Sequence, residues 1–168
     1  MRGLHRALIS LAMLCFLIVP SLALSTEWVS YAKSQYGFHY YDKEGITSTP
    51  DNQIKRAWGK TIYSEMGRHS FILNRRNNGF ALPLNVENLS HSIDQHGFNC
   101  STREWFLFSS TDYDLNDKIL ESIDYEKIRG EYIKHGLDLP SYAKWQSIEP
   151  NSGSETLFNI VCNKQKKK

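Results

Sequence analysis

The sequence predicts an α+β fold: an antiparallel β-sheet with a C-terminal helix packed on one face and tied to it by a disulfide. Three observations support this prediction. Short segments rich in aromatic and β-branched residues follow one another along much of the chain, as strands do. The chain closes with a capped apolar stripe at helical spacing that contains Cys162. Cys100 is the only other cysteine outside the N-terminal apolar run.

The first 25 residues have the composition of a secretion signal. Basic residues precede an uncharged run over 7–19, and Ala23 and Ser25 supply the small residues that signal peptidase requires. We expect cleavage after Ser25, with cleavage after Ala23 as the alternative, so that 26–168 forms a single exported domain without an integral membrane span. A membrane anchor is the other interpretation, because the apolar run approaches the length that spans a bilayer.

The charge of the expected mature domain argues against two classes of partner. The chain carries 20 basic and 18 acidic residues, and loss of Arg2 and Arg6 with the signal leaves 18 of each. A net charge of zero removes the attraction that drives binding to nucleic acid or to anionic membranes. We interpret the basic tail over 164–168 as a solvated end. No complete metal or phosphate motif is present, and we expect no cofactor.

Cys100 and Cys162 remain after loss of the signal, which removes Cys15. In an exported protein, two cysteines without CxxC spacing favour a structural disulfide over a zinc site or a redox motif. Sixty-one residues lie between them, so the crosslink is expected to stabilise the fold by about 4 kcal/mol. Two unpaired thiols are the alternative.

Aromatic and β-branched residues predict three strands in the first part of the domain. These segments are Glu27–Ala32, Tyr36–Lys43 and Gln53–Tyr63. In the third, Ile54, Trp58 and Ile62 share one parity and therefore one face of a strand. Arg56 and Lys60 share that parity too.

A β-hairpin is predicted next. The segments Phe71–Asn74 and Phe80–Leu84 flank Asn77-Asn78-Gly79, and Asn-Gly favours the positive φ angles of a tight hairpin turn. We therefore expect Arg75 and Arg76 at or beside an exposed tip.

The middle of the chain contains the clearest strand patterns. Alternation over Leu89–Asp94 predicts a strand, and the apolar run within Thr102–Ser109 predicts a central strand that is buried on both faces. Asp112, Asp114 and Asn116 mimic the start of a calcium loop. The later glycine and glutamate of such a loop are missing, so a solvated turn over 111–117 is predicted.

Two helices are predicted after another strand that contains Ile119 and Ile123. Asp124 is the expected cap of a helix over 125–135, which Gly136 would end. The C-terminal helix begins with a capping box in which Ser152 and Glu155 satisfy each other's backbone amides.

A set of short motifs, in their order and spacing, resembles the family of bacterial protein E surface adhesins. These are Trp28-Val29, Tyr40-Tyr41-Asp42, Ala57-Trp58, Asn99-Cys100-Ser101, Ser110–Asp114, Trp145–Pro150, Glu155-Thr156-Leu157 and Val161-Cys162. The resemblance covers nearly the whole mature domain. It implies an antiparallel sheet with a disulfide-fastened C-terminal helix, and an adhesin-like binding function. The segment 125–142 looks longer than the family's usual connection.

His91, Asp94 and His96 are the residues most similar to a catalytic or metal-binding set. On a strand His91 faces away from Asp94 and His96, because successive side chains alternate. We interpret these residues as polar side chains on the sheet faces, without a catalytic or metal-binding role. A small hydrolase built on Asp94 and His96 is one alternative function.

We expect an exported, non-enzymatic binding module in the periplasm or on the outer cell surface. The predicted partner is an unidentified protein, and a homodimer is compatible with the sequence. Tyr40, Tyr41, Arg75 and Arg76 form the candidate binding surface, because aromatic residues and arginine are typical of binding hot spots. A periplasmic accessory domain that binds another envelope protein is the second alternative. Cross-strand packing is the other explanation for the aromatic residues.

Overall fold

The structure is a computed structural model that describes residues 26–77 and 79–163. The expected signal and the basic tail lie outside these ranges. The strands are β1 (Trp28–Ser34), β2 (Gly37–Asp42), β3 (Thr47–Ser48), β4 (Ile54–Tyr63), β5 (Leu89–Asn99), β6 (Glu104–Asp114), β7 (Ile119–Asp124) and β8 (Gln146–Ser147). The α-helices of the described ranges are α1 (Glu65–Asn77), α2 (Tyr125–Lys134) and α3 (Gly153–Asn163). None of them is long and apolar enough to cross a membrane.

The strands pair antiparallel in a single sheet, which confirms the predicted fold class. The sheet order is β1-β2-β4-β5-β6-β7, with β3 beside the start of β4 and β8 beside the start of β6. The three strands predicted first correspond to β1, β2 and β4. Consecutive strands are neighbours except for β2 and β3 and for β7 and β8, so local connections set most of the topology.

The two faces of the sheet are covered differently. The helix face, which includes Tyr41, Ala57 and Phe98, carries α3 at one end and α1 at the other. The open face, which includes Tyr40, Trp58 and Ile93, is covered only at one end, by α2 and Trp145. Beneath α3 lies the main core, which consists of Tyr41, Ala57, Phe98, Ile148, Leu157, Phe158 and Val161.

Helix α3 is fastened to the sheet at both of its ends, and the disulfide at its C-terminal end was predicted. A disulfide joins Cys162 in its last turn to Cys100, directly after β5. The buried Lys55 donates from Nζ to the Val161 carbonyl oxygen at 3.2 Å, which places a cation at the negative end of the helix dipole. At the start of the helix, Arg103 forms a 2.8 Å ion pair with Glu155.

The predicted N-cap of α3 is also present. The Ser152 hydroxyl accepts from the Glu155 backbone N–H at 3.1 Å. The Glu155 carboxylate returns to the Asn151 backbone N–H at 2.8 Å, one residue before the cap. Glu155 therefore supports the cap by ordering the chain that enters the helix.

Ser152→Ala should lower the free energy of unfolding by about 1 kcal/mol, because the Glu155 amide loses its acceptor. Urea unfolding measures this change. Asn159→Ala, on the exposed side of the same helix, is the matched control and should change the free energy by less than about 0.5 kcal/mol. Equal midpoints for the wild type and Ser152→Ala would contradict a role for the cap.

The hairpin predicted around Asn77-Asn78-Gly79 is wrong, because Glu65–Asn77 forms α1. The Ser64 hydroxyl accepts from the Gly67 backbone N–H at 3.0 Å and starts the helix. Gly79 adopts φ 72° and ends it, with the Phe80 N–H donating to the Arg75 carbonyl. The positive φ of Asn-Gly thus serves a helix C-terminus, where it is equally favourable.

A close approach to the sheet explains why α1 forms at this point. A Cβ atom on Gly67 would lie 1.9 Å from the Tyr36 carbonyl oxygen, so the β1–β2 turn can meet the helix only at a glycine. Phe71 packs edge-on against Tyr63 at 5.8 Å. These tertiary contacts favour the helix over the local strand preference of the apolar residues.

Helix α2 has the predicted cap and covers one end of the open face. The Asp124 carboxylate accepts from the Lys127 backbone N–H at 2.8 Å. Arg56 makes two hydrogen bonds to the Glu126 carboxylate and stacks 3.9 Å above the Phe108 ring. The helix therefore shields Phe108 while the rest of the open face stays uncovered.

Candidate functional site

Three rows of side chains cross the open face, since residues paired on neighbouring strands project to the same side. The first row runs from Trp58 through Gln95 and Ser109 to Asp124. The second contains Ser30, Tyr40, Lys60, Ile93, Thr111 and Ser122. The third contains Lys33, Phe38, Ile62, His91, Tyr113 and Ile119.

Large apolar side chains in the first and third rows are exposed on this face. Trp58 is 36 % exposed, Ile62 38 % and Phe38 42 %. Phe38 pairs directly with Ile62, and the Lys33 ammonium lies 5.0 Å from the Phe38 ring centroid. Lys60 of the second row lies between this pair and Trp58. Several exposed apolar residues on one face are typical of interaction surfaces, whereas single exposed residues are ordinary.

An open cleft of about 550 Å³ occupies the part of this face beside the apolar residues. Trp28 from β1 and Trp58 from β4 lie on one side, and Tyr113 from β6 contributes a third ring. Its polar lining comes from Thr26, Asp42, Ser109, Thr111, Ser122 and Asp124. A cleft that combines aromatic rings with converging polar groups is the usual form of a binding site.

His91 belongs to the open face, as the alternation predicted. Its ring stacks on Tyr113 with centroids 4.8 Å apart and an angle of 7° between the planes. Burial lowers the pKa of His91, nearby Lys60 lowers it further, and Asp117 opposes the shift. The stacked imidazole is thus held in its neutral form at neutral pH.

Asp94 lies on the helix face, in a polar cluster between α1 and α3. Its two carboxylate oxygens accept from the hydroxyls of Ser110 at 2.6 Å and Ser92 at 3.0 Å. Ser92 in turn accepts from the Tyr63 hydroxyl at 3.3 Å. These bonds satisfy Asp94 as a structural acceptor in a buried network.

His96 shares that face with Asp94, but the two are not hydrogen-bonded to each other. Among the described residues no hydrogen bond joins them, and Asp94 is held by the two serines. The His96 ring fits against Gly59, where a Cβ atom would lie 2.9 Å from its Nε2. Burial lowers the pKa of His96 against the opposing effect of Asp94. Within residues 26–77 and 79–163, no three histidine, cysteine or acidic side chains are grouped to bind a metal ion.

Asp112 is deeply buried, which corrects the prediction that it lies in a solvated turn. Strand β6 continues to Asp114, so the turn begins four residues later than expected. Asp112 is 4 % exposed, and its Oδ1 has no hydrogen-bond partner among the described residues. Burial, and next the charges of Asp94 and Glu121, raises the pKa of Asp112 to about 7.

The four predicted binding residues do not form one surface. Tyr40 lies on the open face, whereas Tyr41 is 6 % exposed and part of the core. Arg75 sits within α1, where it pairs with Glu121 at 2.6 Å and donates to the Ala81 carbonyl oxygen. Arg76 is exposed in the last turn of the same helix. The hairpin tip that would have joined the two arginines does not exist.

Trp58, Phe38 and Ile62 were not predicted as site residues. The alternation of side chains along β4 could have indicated two of them. Trp58 and Ile62 alternate with small residues and share their face with Arg56 and Lys60. A face that mixes charged and large apolar residues is typical of a partly solvated surface.

The protein is a disulfide-tied antiparallel sheet that leaves most of one face uncovered, with exposed apolar residues of the kind that mark interaction surfaces. Comparison with known families agrees, since the family model for surface-adhesin protein E matches residues 28–163. The chain belongs to this family and is an exported, adhesin-like surface binding module.

One solved structure also resembles this chain. Crystal form II of Haemophilus influenzae protein E aligns with 84 % of this chain and 94 % of its own, at 14 % identity and a TM-score of 0.45. A comparison with curated proteins found no match.

Proposed function

We propose that the open face, centred on Trp58, is the surface through which this adhesin binds a host or environmental macromolecule. The supporting observation is the exposure of Phe38, Trp58 and Ile62 on one face of the sheet, where Trp58 also lines the aromatic cleft. Removing these apolar groups from water provides binding free energy, and tryptophan is the residue most enriched at binding hot spots.

Trp58→Ala should weaken binding to immobilised basement-membrane extract by about tenfold or more, which corresponds to about 1.4 kcal/mol. Biolayer interferometry with the exported protein measures the affinity. Met66→Ala is the control, because Met66 is 53 % exposed on α1, which covers the helix face. The control should bind like the wild type.

Unfolding midpoints must accompany the affinities, since a loosened sheet would also reduce binding. Trp58→Phe retains an aromatic surface and should recover part of the affinity. A folded Trp58→Ala variant that binds as tightly as the wild type would show that the open face is not the binding surface.

Binding without catalysis is the function that the helix-face geometry favours. The two oxygens of Asp94 are occupied by serine hydroxyls, and His96 lacks a hydrogen bond to it, so neither residue is arranged as a general base. A reproducible hydrolytic activity that disappears with His96→Ala would overturn this assignment.

We propose display on the outer cell surface, with periplasmic retention as the alternative. An adhesin must meet its ligand outside the cell, and the family to which the chain belongs is one of surface adhesins. Protease added to intact cells should degrade the protein, and full protection would favour a periplasmic accessory role. The homodimer stays a prediction that sedimentation equilibrium of the exported protein tests.

A further inference from the structure

The cleft on the open face crosses the whole width of the sheet. Each of the six principal strands contributes to its lining: Trp28, Asp42, Trp58, Ile93, Thr111 and Ser122 come from successive strands in the sheet order. Five spacings between neighbouring strands correspond to about 24 Å. The cleft therefore suits an extended ligand that lies across the strands.

The floor of the cleft offers only side chains for recognition. Its inner strands, β2, β4, β5 and β6, have neighbours on both sides, so their backbone amides and carbonyls are used in the sheet. A peptide that binds by adding a strand requires a free sheet edge. This cleft lacks one along most of its length.

The aromatic rings of the lining present flat apolar faces. Trp28 and Trp58 each contribute one, whereas the ring of Tyr113 has one face covered by the stacked His91. An aromatic face carries partial negative charge, so it attracts the weakly positive C–H groups of a stacked ring. A pyranose ring presents such C–H groups on its flat side and directs its hydroxyls outward.

The polar lining matches a ligand rich in hydroxyl groups. Thr111 and Ser122 lie 3.0 Å apart and can each donate and accept further hydrogen bonds. Asp124 uses Oδ1 to cap α2, and its Oδ2 has no hydrogen-bond partner in the described ranges. A carboxylate oxygen accepts strongly from a sugar hydroxyl.

The charge of the cleft decides between classes of extended ligand. Asp42 and Asp124 are among the described lining residues, and no lysine, arginine or histidine is. Lys60 pairs with Ile93 on the same face, and these three groups together carry a negative charge that opposes sulfated or sialylated chains and nucleic acids. An uncharged polyhydroxylated chain meets no such repulsion.

We propose that this cleft binds an uncharged glycan, with pyranose rings of the chain stacked on Trp28 and Trp58 and their hydroxyls bonded to the Asp124 carboxylate and the Thr111–Ser122 pair. The inference rests on the proposed function of the open face and adds its ligand class.

A glycan array printed with neutral, sialylated and sulfated oligosaccharides tests the ligand class. The exported protein, from cells that express the full chain, should bind neutral structures. Trp28→Ala and Trp58→Ala should each reduce this binding about tenfold or more, while Met66→Ala leaves it unchanged. Binding confined to the charged glycans, or no binding to neutral ones, would overturn the inference.

A second experiment separates this inference from the proposed function. Mild periodate oxidation of the basement-membrane extract cleaves vicinal diols of glycans and should reduce binding at least tenfold. If the oxidised extract binds equally and Trp58→Ala still weakens binding, the open face is the binding surface but its ligand is protein. If Trp58→Ala binds both extracts like the wild type, both proposals fail.

Discussion

Replacing Cys100 and Cys162 together by serine should lower the free energy of unfolding by about 4 kcal/mol, because the bond closes a loop with a sequence separation of 62 residues. Without the bond, the unfolded chain gains the freedom that this closure removes. Such a loss is a large part of the stability of a typical domain. Urea unfolding of the two proteins, analysed with a common m-value, measures it.

Reduction of the wild type provides the control, since it breaks the same bond without changing the core. The reduced wild type and the double serine variant should have similar unfolding midpoints. The exported protein should also resist alkylation until it is reduced, as measured by intact mass. A loss below about 1 kcal/mol would mean that native-state strain offsets most of the loop entropy.

The second large effect concerns the pH dependence of stability and depends on Asp112. Its folded pKa of about 7 lies above the ordinary value of 3.8, so the folded state binds this proton more tightly than the unfolded state does. The resulting stability is fully present below pH 3.8 and is lost as pH rises through about 7. Through this proton linkage, Asp112 lowers the free energy of unfolding by about 4 kcal/mol between pH 4 and pH 8.

Asp112→Asn isolates this contribution, because asparagine is similar in shape and does not titrate. The variant should gain stability relative to the wild type as pH rises from 4 to 8. Subtracting the free energy of unfolding of the wild type from that of the variant also cancels an opposing effect of three histidines that both proteins share. His39, His91 and His96 have lowered pKa values, so they favour folding as pH rises. A difference that does not change with pH would show that Asp112 is not protonated in the folded state at pH 5.

Helix α3 was predictable because its local capping pattern and its long-range disulfide indicate the same arrangement. Ser152 and Glu155 encode the start of α3 in four residues, and the two remaining cysteines determine where its end attaches. Alternation in β5 likewise separated His91 from His96 correctly, since the period of a strand is independent of what covers it.

Helix α1 was not predictable from the same kind of pattern. Phe71, Ile72 and Leu73 are consecutive apolar residues that suit a buried strand, and Asn-Gly suits either a hairpin or the end of a helix. The contact of Gly67 with the Tyr36 carbonyl decides between them, and it joins segments 31 residues apart. Short patterns do not contain that information.

The binding surface was only partly predictable for a related reason. Parity places Trp58 and Ile62 together on β4, but exposure depends on which face α1, α2 and α3 cover. Asp112 depends on neighbours in the same way, because its burial requires both the extension of β6 and the position of α1 above it. Tertiary coverage, more than local propensity, separates a binding residue from a core residue here.

The placement of α3 on the helix face determines how the molecule should be held when ligands are presented to it. Thr26 lies at the rim of the cleft, whereas Asn163 ends a helix on the opposite side of the sheet. A support attached beyond Asn163 would leave the cleft pointing outward, and a bulky group attached before Thr26 would crowd its mouth. Attachment beyond Asn163 should therefore leave the aromatic cleft accessible to ligands, whereas attachment before Thr26 should obstruct it.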